Sequence, residues 1–414
     1  MCDVYAGSLL ASFHRDDPAH ERVAGLIGES YETVALLDLL SEAHAEEGRN
    51  LLDHFPHAYY RIEVPPGSER AVAASLQRLH IETTLGPGTF EYLLDPQLAP
   101  LIETEGVLQT SALGTATASQ GFSFSAEHQS NLTLIDARPN LGQVMPVTVG
   151  VLDSGWSATG VPLTVASELD LTDGGMKGTA PDTYGHGSVV ASIIGGVAPG
   201  ADLNVYRVAK GSEARESVFL AGLVQAAAQC QVINASIGFG LLDRDCVICG
   251  REYGTNRSLI FERLLGSLLA IDTNLVFVAA AGNQAKGEVV YPGRYPHAVC
   301  VGATDDAGTP STFSNYGAVD HEGNPHPAVV FAPGGDRHRN GAGSDQYVAD
   351  HLGRSWRGTS FATAYVTGIV AAHLAVNPGD DRATVLDGLR RAADPAKVQG
   401  YAAADHGAGL AQFL

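Results

Sequence analysis

The sequence predicts an α/β fold in which helices cover both faces of a mainly parallel sheet, preceded by a small α+β ferredoxin-like domain and a helical N-terminal segment. Continuous apolar runs such as PVTVGVLD and NLVFVAAAGN lack polar alternation, which is typical of parallel strands buried on both faces. These runs alternate with stretches of helical length, as in a parallel sheet covered by helices. Upstream of them, shorter patterns follow the order βαββαβ, which is that of the ferredoxin-like motif.

Composition limits the classes of function. The chain has 414 residues, 45% of them hydrophobic, and a formal net charge of −21. This acidity argues against a nucleic-acid partner, because phosphate binding relies on cationic side chains, and no apolar run approaches the roughly 20 residues of a membrane span. Five cysteines are too few for a disulfide scaffold, and the N-terminus lacks the basic region of a signal peptide. We therefore expect a cytoplasmic protein with reduced thiols.

The region before the α/β domain divides into three predicted parts. Residues 1–56 are predicted to be helical, since YETVALLDLLSEAHAEEGRNLLDHF has apolar positions at helical spacing; this segment either docks a protein partner or forms a solvated helical hairpin. In residues 57–110, AYYRIEV, IETTL, FEYLL and VLQT are predicted strands, and GSERAVAASLQRL and DPQLAPLIETEG are predicted helices. Residues 111–129 are rich in Ser, Ala, Gly and Thr and are predicted to be a linker.

The α/β domain is predicted to occupy residues 130–414. Its strands are PVTVGVLD, DLNVYRVA, QVINASIG, NLVFVAAAGN and AVCVGAT, and its helices are GSVVASIIGG, ESVFLAGLVQAAAQ, SLIFERLLGSLLAID and SFATAYVTGIVAAHLAVN. Functional groups in such sheets cluster beyond the carboxyl ends of the strands. Asp153 and Asn283 each end a strand, so we expect both at the same edge of the sheet.

Four polar residues stand at the boundaries of these elements. Ser360 begins an apolar helix, where serine is usually an N-cap, and an isolated serine hydroxyl is a weak nucleophile. His186 lies between two glycines at the start of another helix. Asp153 and Asn283 follow buried strands, where capping or turn formation is the ordinary role. Taken singly, each residue has a structural explanation that suffices.

The joint arrangement of the four residues resembles the subtilisin-like (subtilase) serine peptidases. VGVLDSG is similar to the aspartate motif of that family, YGHGSVVASIIGG to its histidine motif and GTSFATAYVTG to its serine motif, and the resemblance extends from Leu132 to Pro378. It implies that Ser360 attacks the scissile carbonyl, that His186 transfers the proton and that Asp153 orients the imidazole. It also implies that Asn283 and the Ser360 backbone N–H stabilise the oxyanion.

The resemblance further implies a substrate site and an inhibitory segment. A polypeptide substrate would pair in extended form with two short segments, and a pocket would receive the side chain before the cut. The residues assigned to these sites are Lys210, Gly211, Ser236, Ile237 and Gly238 for the paired segments, and Ala280, Ala281 and Gly282 for the pocket. Many subtilases carry a βαββαβ prodomain that inhibits the enzyme, so residues 57–110 are either such a prodomain or an unrelated accessory domain.

The sequence departs from the family pattern at several places. Ala364 and Tyr365 replace the usual Pro-His of the serine motif, and Gly195-Gly196 lead directly into VAPGA, where many relatives have a calcium-binding loop. We therefore predict neither a metal nor another cofactor. Cys246 and Cys249 form a single CxxC, which is weak evidence for zinc and indicates a disulfide or two free thiols.

The predicted function is that of a serine endopeptidase regulated or self-processed through its N-terminal region. Two alternatives stay open. One is a dedicated maturation protease for a single partner or precursor peptide, and the other is a pseudoprotease that binds extended peptides without cutting them.

Overall fold

The structure is a computed structural model of the chain. It describes residues 4–17, 20–42, 45–84, 101–110, 113–116, 126–137, 145–158, 163–172, 176–239, 257–320, 323–336, 348–349 and 354–414.

The N-terminal part of the chain begins with a strand. In chain order its elements are β1 (Val4–His14), α1 (His20–Ser30), β2 (Glu32–Ala35), α2 (Leu36–Glu42), α3 (Glu46–Asp53), β3 (His57–Glu63), α4 (Glu69–Thr84) and β4 (Leu101–Thr110). The strands lie in the order β4-β1-β3-β2, and each neighbouring pair is antiparallel. This arrangement is that of a ferredoxin-like βαββαβ unit in which α2 and α3 are inserted between the second and third strands.

The unit begins at Val4, so the predicted boundary between residues 1–56 and 57–110 is wrong. β3, which we predicted as the first strand of the unit, is its third strand. Helix α4 continues through Thr84 over the residues IETT that we predicted as a strand, and residues 101–106 belong to β4 rather than to a helix. The predicted strand FEYLL and the start of the following predicted helix lie outside the described residues.

Strand β1 was not predicted from the sequence, because both of its faces are buried. Leu9 and Phe13 pack on one face with residues of α1 and β3, among them Ile62. Leu10, on the other face, belongs to the core that this domain shares with the rest of the chain. Ser8 and Ser12 on that face are buried as well. A strand in this position shows no polar alternation, which is the usual signal of an antiparallel strand.

The remaining elements follow in chain order. They are β5 (Leu113–Ala116), α5 (Ala126–Leu134), β6 (Thr148–Asp153), β7 (Thr164–Asp170), β8 (Met176–Lys177), α6 (His186–Val197), β9 (Asp202–Arg207), β10 (Glu213–Arg215), α7 (Glu216–Ala227), β11 (Val232–Ala235), β12 (Ile237–Phe239), α8 (Leu259–Ile271), β13 (Val276–Ala280), β14 (Val299–Thr304), β15 (Val329–Pro333), β16 (Val348–Ala349), β17 (Arg354–Arg357), α9 (Thr359–Val376), α10 (Arg382–Ala392), a 3-10 helix (Pro395–Lys397) and α11 (Ala403–His406). Because β5 and the start of α5 lie within residues 111–129, the predicted linker is not wholly irregular.

The central sheet confirms the predicted α/β class. Its strand order in the described residues is β15-β14-β13-β11-β6-β9-β7-β8, and its neighbouring strands are parallel except for β8, which pairs antiparallel with β7. Helices α6 and α9 pack on one face of this sheet, and α7 and α8 pack on the other. The ends of β6 and β13 therefore lie at one edge, where the predicted site residues follow them.

Three further strand pairings position the N-terminal part and the segment after it on the central domain. The end of β4 pairs antiparallel with both β10 and β12, while β5 pairs antiparallel with β17, which in turn pairs with β16.

Of the described residues, only those of α9 form a helix long and apolar enough to cross a membrane, and 78% of that helix is buried inside the molecule.

Candidate active site

Asp153 and His186 form a buried pair. Asp153 is the last residue of β6, and its Oδ1 accepts hydrogen bonds from the Nδ1 of His186 at 2.7 Å and from the backbone N–H of Ser154 at 2.7 Å. Both side chains of the pair are fully inaccessible to solvent. A carboxylate in such a site is retained only where hydrogen bonds replace its hydration, and here they fix the imidazole with Nδ1 as the donor.

The start of α6 brings His186 to this carboxylate. Gly187 makes the approach possible, because a Cβ at this position would lie 2.3 Å from the carbonyl oxygen of Gly155. The imidazole ring of His186 contacts the rings of Trp356 and Phe361, with centroids 5.7 and 5.4 Å away. The histidine is therefore held between the strand that ends in Asp153 and the helix that carries Ser360.

Asp182 is a residue that our sequence reasoning missed. Its Oδ1 accepts hydrogen bonds from Ser154 Oγ and from the N–H groups of Tyr184 and Gly185, and its Oδ2 accepts from the N–H and hydroxyl of Ser188. The carboxylate thus ties the segment after Asp153 to the first turn of α6. The sequence feature that could have indicated Asp182 is its place four residues before His186, at the entrance of a helix.

Ser360 lies in the first turn of α9. Its hydroxyl donates to the carbonyl oxygen of Ser236 at 2.9 Å, and the hydroxyl of Ser236 donates to the carbonyl oxygen of Ser360 at 2.8 Å. The Nε2 of His186 has no hydrogen-bond partner among the residues that the structure describes. The Ser360 hydroxyl is thus bonded to Ser236 rather than to Nε2, and a nucleophile–base hydrogen bond is often long or poorly aligned before substrate is bound.

Asn283 stands beside the nucleophile. Its Oδ1 accepts hydrogen bonds from the backbone N–H and the hydroxyl of Thr359, each at 3.0 Å. Because Oδ1 is engaged in this way, the Nδ2 group is left to donate elsewhere. The backbone N–H of Ser360 lies in the first turn of α9, where helix N–H groups have no acceptor within the helix. These two donors could hold one oxyanion.

The predicted substrate-pairing residues divide into two groups. Ile237 and Gly238 in β12 pair with Thr110 and Gln109 of β4. Lys210 and Gly211 lie in the turn before β10 and do not belong to that strand. The next residue, Ser212, accepts a hydrogen bond from the N–H of Thr110 at 2.9 Å, and β10 pairs with residues 107–109.

The predicted pocket residues are buried: Ala280 is the last residue of β13, and Ala281 and Gly282 follow it. The N–H of Gly282 donates to the hydroxyl of Thr359 at 3.2 Å, so this segment adjoins the residue before Ser360. Gly282 has φ +102°, and a Cβ there would lie 2.7 Å from Asn315 Nδ2. The glycine is thus required by backbone conformation and by packing.

Two cysteines, Cys230 and Cys300, lie in the described part of the chain, and both are buried. Burial raises the pKa of the Cys230 and Cys300 thiols to about 12, so both remain protonated at neutral pH. In the described part of the chain, no group of three or more His, Cys, Asp or Glu residues could hold a metal ion. Cys246 and Cys249 lie outside the described residues.

Tyr365, which departs from the family pattern, is fully buried in α9. Its hydroxyl accepts a hydrogen bond from Asn131 Nδ2 at 3.1 Å, and burial raises the pKa of Tyr365. The hydroxyl therefore stays protonated, and the helix accommodates the tyrosine without exposing it.

A buried Asp–His pair and a serine in the first turn of a helix, on an α/β sheet, are the arrangement that is typical of Ser-His-Asp hydrolases. The sequence model of the subtilase family, Peptidase_S8, matches residues 146–410, more than half of the chain. The chain belongs to the subtilase family.

Individual relatives match the same region. Alkaline elastase YaB of Bacillus sp. (strain YaB) is 29% identical over 264 residues, which cover 60% of this chain and 59% of that protein. Subtilisin Savinase of Lederbergia lenta is 30% identical over 259 residues, covering 60% of this chain and 83% of that protein. The chain thus spans about three fifths of the elastase.

A solved structure shares the fold over nearly the whole chain. Fervidolysin from Fervidobacterium pennivorans, a keratinolytic enzyme related to subtilisin, aligns with a TM-score of 0.65 at 16% identity. The alignment covers 99% of this chain and 60% of the fervidolysin chain.

Replacement of Asn283 should separate its two sets of hydrogen bonds. We expect Asn283→Ala to lower kcat by about 10²–10³ with little change in KM, which is the loss measured in subtilisin itself when this donor is removed. Asn283→Asp is the matched control, because it keeps the oxygen that accepts from Thr359 but removes the Nδ2 donor. Steady-state kinetics on a peptide substrate measure both. If Asn283→Asp retains wild-type kcat, Asn283 only supports Thr359.

Asp182 should act as a positioning residue for His186. We expect Asp182→Asn to lower kcat by about 10- to 100-fold, since an amide NH₂ must then face hydrogen-bond donors and the base shifts from its place. Ser188→Ala, which removes only one of the five hydrogen bonds, should lose less. We would measure the kinetics of Asp182→Asn, Ser188→Ala, Ser154→Ala and the double variant of Asp182→Asn with Ser154→Ala. If the losses of Asp182→Asn and Ser154→Ala are fully additive in the double variant, Asp182 does not act through Ser154.

Proposed function

We propose that the chain is a serine endopeptidase that is synthesised in a self-inhibited form and cuts its own N-terminal region. In this reaction Ser360 Oγ attacks the scissile carbonyl carbon while His186 Nε2 takes its proton. The tetrahedral oxyanion accepts hydrogen bonds from Asn283 Nδ2 and the Ser360 N–H, and Asp153 stabilises the imidazolium. His186 then gives the proton to the leaving amine, and water hydrolyses the acyl-enzyme.

The observation that carries the proposal is a polypeptide strand already lying in the site. Residues 107–110 of β4 leave the N-terminal sheet and pair on one side with β10 and on the other with β12. Ser236, directly before β12, is the residue whose carbonyl oxygen bonds the hydroxyl of Ser360. An extended segment held by backbone pairing is how a peptidase of this kind would hold its substrate.

The strand registers support one particular bond as the one that is cut. On one side Gly238 pairs with Gln109 and Ile237 with Thr110. On the other side Arg357 pairs with Leu113. Ser111 and Ala112, which join these two paired segments in sequence, lie outside the described residues. Since Ser236 and Gly358 adjoin the two pairings, we propose the Ser111–Ala112 bond as the site of self-cleavage.

Side chains of β4 support an inhibitory role for the N-terminal domain. Glu105, fully buried, accepts hydrogen bonds from Arg215 and from the N–H and hydroxyl of Ser217 at the start of α7. Glu103 accepts likewise from Ser258 and from the N–H of Ile260 at the start of α8. Carboxylates at two helix N-termini bind favourably. These contacts hold β4 in place and keep other substrates out.

An apolar contact adds to this attachment. Leu108 is fully buried in the core that contains Phe239 and Phe219. Full burial of a leucine side chain contributes about 1.5–3 kcal/mol. Since the backbone of Leu108 pairs with Phe239, we propose that substrates place an aliphatic side chain at this position too.

Helices α2 and α3 attach the N-terminal domain to α7. The N–H of Gly48 donates to Gln225 Oε1 at 2.6 Å, and Gln225 Nε2 donates to Glu47 at 3.0 Å. A Cβ at Gly48 would lie 2.8 Å from the Cα of Gln225, so the two helices approach closely. We also propose that residues 1–56 dock a separate protein partner and that the protein acts in the cytoplasm. Co-purification of a partner with a tagged chain tests the first of these proposals.

Labelling by a fluorophosphonate tests the enzymatic proposal. After the N-terminal region has been removed, we expect stoichiometric modification of Ser360, located by peptide mass spectrometry, and none in Ser360→Ala. An unlabelled, folded protein that binds peptides would instead be a pseudoprotease. Efficient cutting of a peptide spanning residues 107–116 together with little digestion of casein would favour a dedicated maturation protease.

A further inference from the structure

A series of buried hydrogen bonds connects the interior of α9 with the nucleophile. The hydroxyl of Thr367 donates to Asn234 Oδ1 at 2.8 Å, and Asn234 Nδ2 donates to Ser236 Oγ at 2.9 Å. The hydroxyl of Ser236 in turn donates to the carbonyl oxygen of Ser360 at 2.8 Å. All four residues are fully buried. The series therefore starts about two turns beyond Ser360 in α9, crosses β11 and returns to the first turn of the same helix.

Each group in this series has its donor and acceptor roles set by its neighbours. Because Asn234 Oδ1 accepts from Thr367, the NH₂ group of the amide faces Ser236. Because Ser236 Oγ accepts from that NH₂ group, its single proton is directed to the carbonyl oxygen of Ser360. The hydroxyl of Thr367 thus orients every hydrogen bond that follows it.

Ser236 contacts the nucleophilic residue in two ways. Its hydroxyl donates to the carbonyl oxygen of Ser360, and its own carbonyl oxygen accepts from the Ser360 hydroxyl at 2.9 Å. Ser236 also directly precedes β12, which pairs with residues 108–110. A shift of Ser236 relative to α9 would therefore move both the acceptor that holds the nucleophilic hydroxyl and the strand on which the peptide lies.

From this geometry we propose that Thr367 and Asn234 are positioning residues for Ser360 and act on it through Ser236. The inference rests on the proposed function and goes beyond it, because neither side chain bonds directly to Ser360, His186 or the oxyanion donors. Their effect on the rate comes from placement, since small displacements of a reacting group from its productive geometry lower the rate strongly.

Replacement of Thr367 by valine tests this role. Thr367→Val keeps the branched shape of the side chain but removes the hydroxyl, so the amide of Asn234 loses the group that orients it. We expect kcat for a peptide substrate to fall by about 5- to 10-fold with little change in KM, because one buried hydrogen bond is lost and Ser236 shifts. Thr367→Ser, which restores the hydroxyl, should recover most of the wild-type kcat.

Thr363→Val is the matched control. Thr363 is a fully buried threonine of the same helix, and its hydroxyl donates to the carbonyl oxygen of Thr359 at 2.7 Å, within the helix. We expect Thr363→Val to lower the melting temperature, as Thr367→Val does, but to leave kcat unchanged. Equal losses of kcat in the two variants would show that any missing hydroxyl loosens α9, which would overturn the proposal.

A double variant tests the path through Ser236. Ser236→Ala removes the hydroxyl but keeps the carbonyl oxygen that accepts from Ser360. If Thr367 acts through this hydroxyl, Thr367→Val combined with Ser236→Ala should lose no more kcat than Ser236→Ala alone, whereas losses that multiply would contradict the path. Should Thr367→Val fail to fold, an unchanged kcat in Ser236→Ala would by itself overturn the proposal.

Labelling by a small fluorophosphonate separates this inference from the proposed function. The reagent does not need to pair with β12, so its second-order rate constant reports on the nucleophile itself. We expect Thr367→Val to lower this rate constant about as much as it lowers kcat, while labelling still reaches one equivalent. A wild-type rate constant in Thr367→Val would overturn the positioning role and leave the endopeptidase standing. Absence of both labelling and peptide cleavage in the wild-type protein would overturn both proposals.

Discussion

Ser360→Ala should remain a chain of 414 residues, whereas the wild-type protein should lose residues 1–111 and acquire Ala112 as its new N-terminus. The described residues on either side of the proposed bond pair with β12 and β17, so its cleavage would avoid the entropy cost of bringing substrate and enzyme together. Cleavage within one molecule also implies a rate that does not depend on protein concentration. Intact-mass spectrometry over time measures the position of the cut and the rate of cleavage. Protein concentrations that differ by about 100-fold would reveal any second-order contribution to that rate.

The same variant should lose peptidase activity by about 10⁶ in kcat, the value known for removal of the nucleophile from subtilisin, a member of the same family. Ser311→Ala is a suitable control, because its buried hydroxyl donates to the carbonyl oxygen of Gly335 and lies outside the proposed machinery. Ser311→Ala should process itself and cut peptides. An intact chain that nevertheless cuts added peptides would show that the N-terminal domain is a permanent accessory domain rather than a prodomain.

The α/β domain was accessible from the sequence because its strands are buried on both faces. Runs such as VTVGVLD lack the polar alternation of a strand that faces solvent, so they are predicted to be buried. β6 ends at Asp153 as predicted. The structure brings Asp153 and His186 into contact and sets Asn283 beside the residue preceding Ser360. These four residues were chosen from the sequence through the resemblance of their motifs to those of the subtilases, and the rule on strand ends predicted only that Asp153 and Asn283 share an edge of the sheet.

The N-terminal boundary could not be read in the same way. β1 and β3 pack on helices with one face and on the peptidase region with the other, so Tyr59 and Leu10 share a core with distant residues such as Leu220. The helical spacing of apolar positions in α2 and α3 then dominated the prediction for residues 1–56. An insertion between the second and third strands also hid the βαββαβ order, because two extra helices interrupt it.

The pairing of β5 with β17 lay beyond sequence reasoning for a different reason. Residues LGTA have little hydrophobic signal, and their conformation depends on a strand more than 200 residues away in the chain. Backbone pairing of this kind leaves almost no trace in composition. Asp182 differs from this case: four of its five donors belong to Tyr184, Gly185 and Ser188, close to it in sequence, and only the Ser154 hydroxyl is brought to it by the fold.

Asp153→Ala should lower kcat by about 10⁴ without preventing folding, which again is the size of the effect known for subtilisin. Removal of the carboxylate leaves the imidazolium of His186 without its counter-charge in a site that solvent does not reach. Asp170→Asn is the control: this carboxylate ends strand β7, which is separated from β6 by β9, and it pairs with Arg207 at 2.7 Å rather than with His186. We expect Asp170→Asn to reduce the melting temperature but not kcat.

Asp153→Asn should lose less activity than Asp153→Ala, and the reason lies in the hydrogen bonds of this particular carboxylate. Both the Ser154 N–H and His186 Nδ1 donate to the same oxygen, Oδ1, whereas Oδ2 has no partner among the described residues. An amide should therefore keep its oxygen at the Oδ1 position, because the reverse orientation would set its NH₂ against the Ser154 N–H. The imidazole then retains the tautomer in which Nε2 accepts the serine proton, and only the charge is lost. Measurement of kcat for the two variants, with melting temperatures to verify folding, tests this order. If Asp153→Asn is as impaired as Asp153→Ala, the amide has turned and the Ser154 hydrogen bond does not control its orientation.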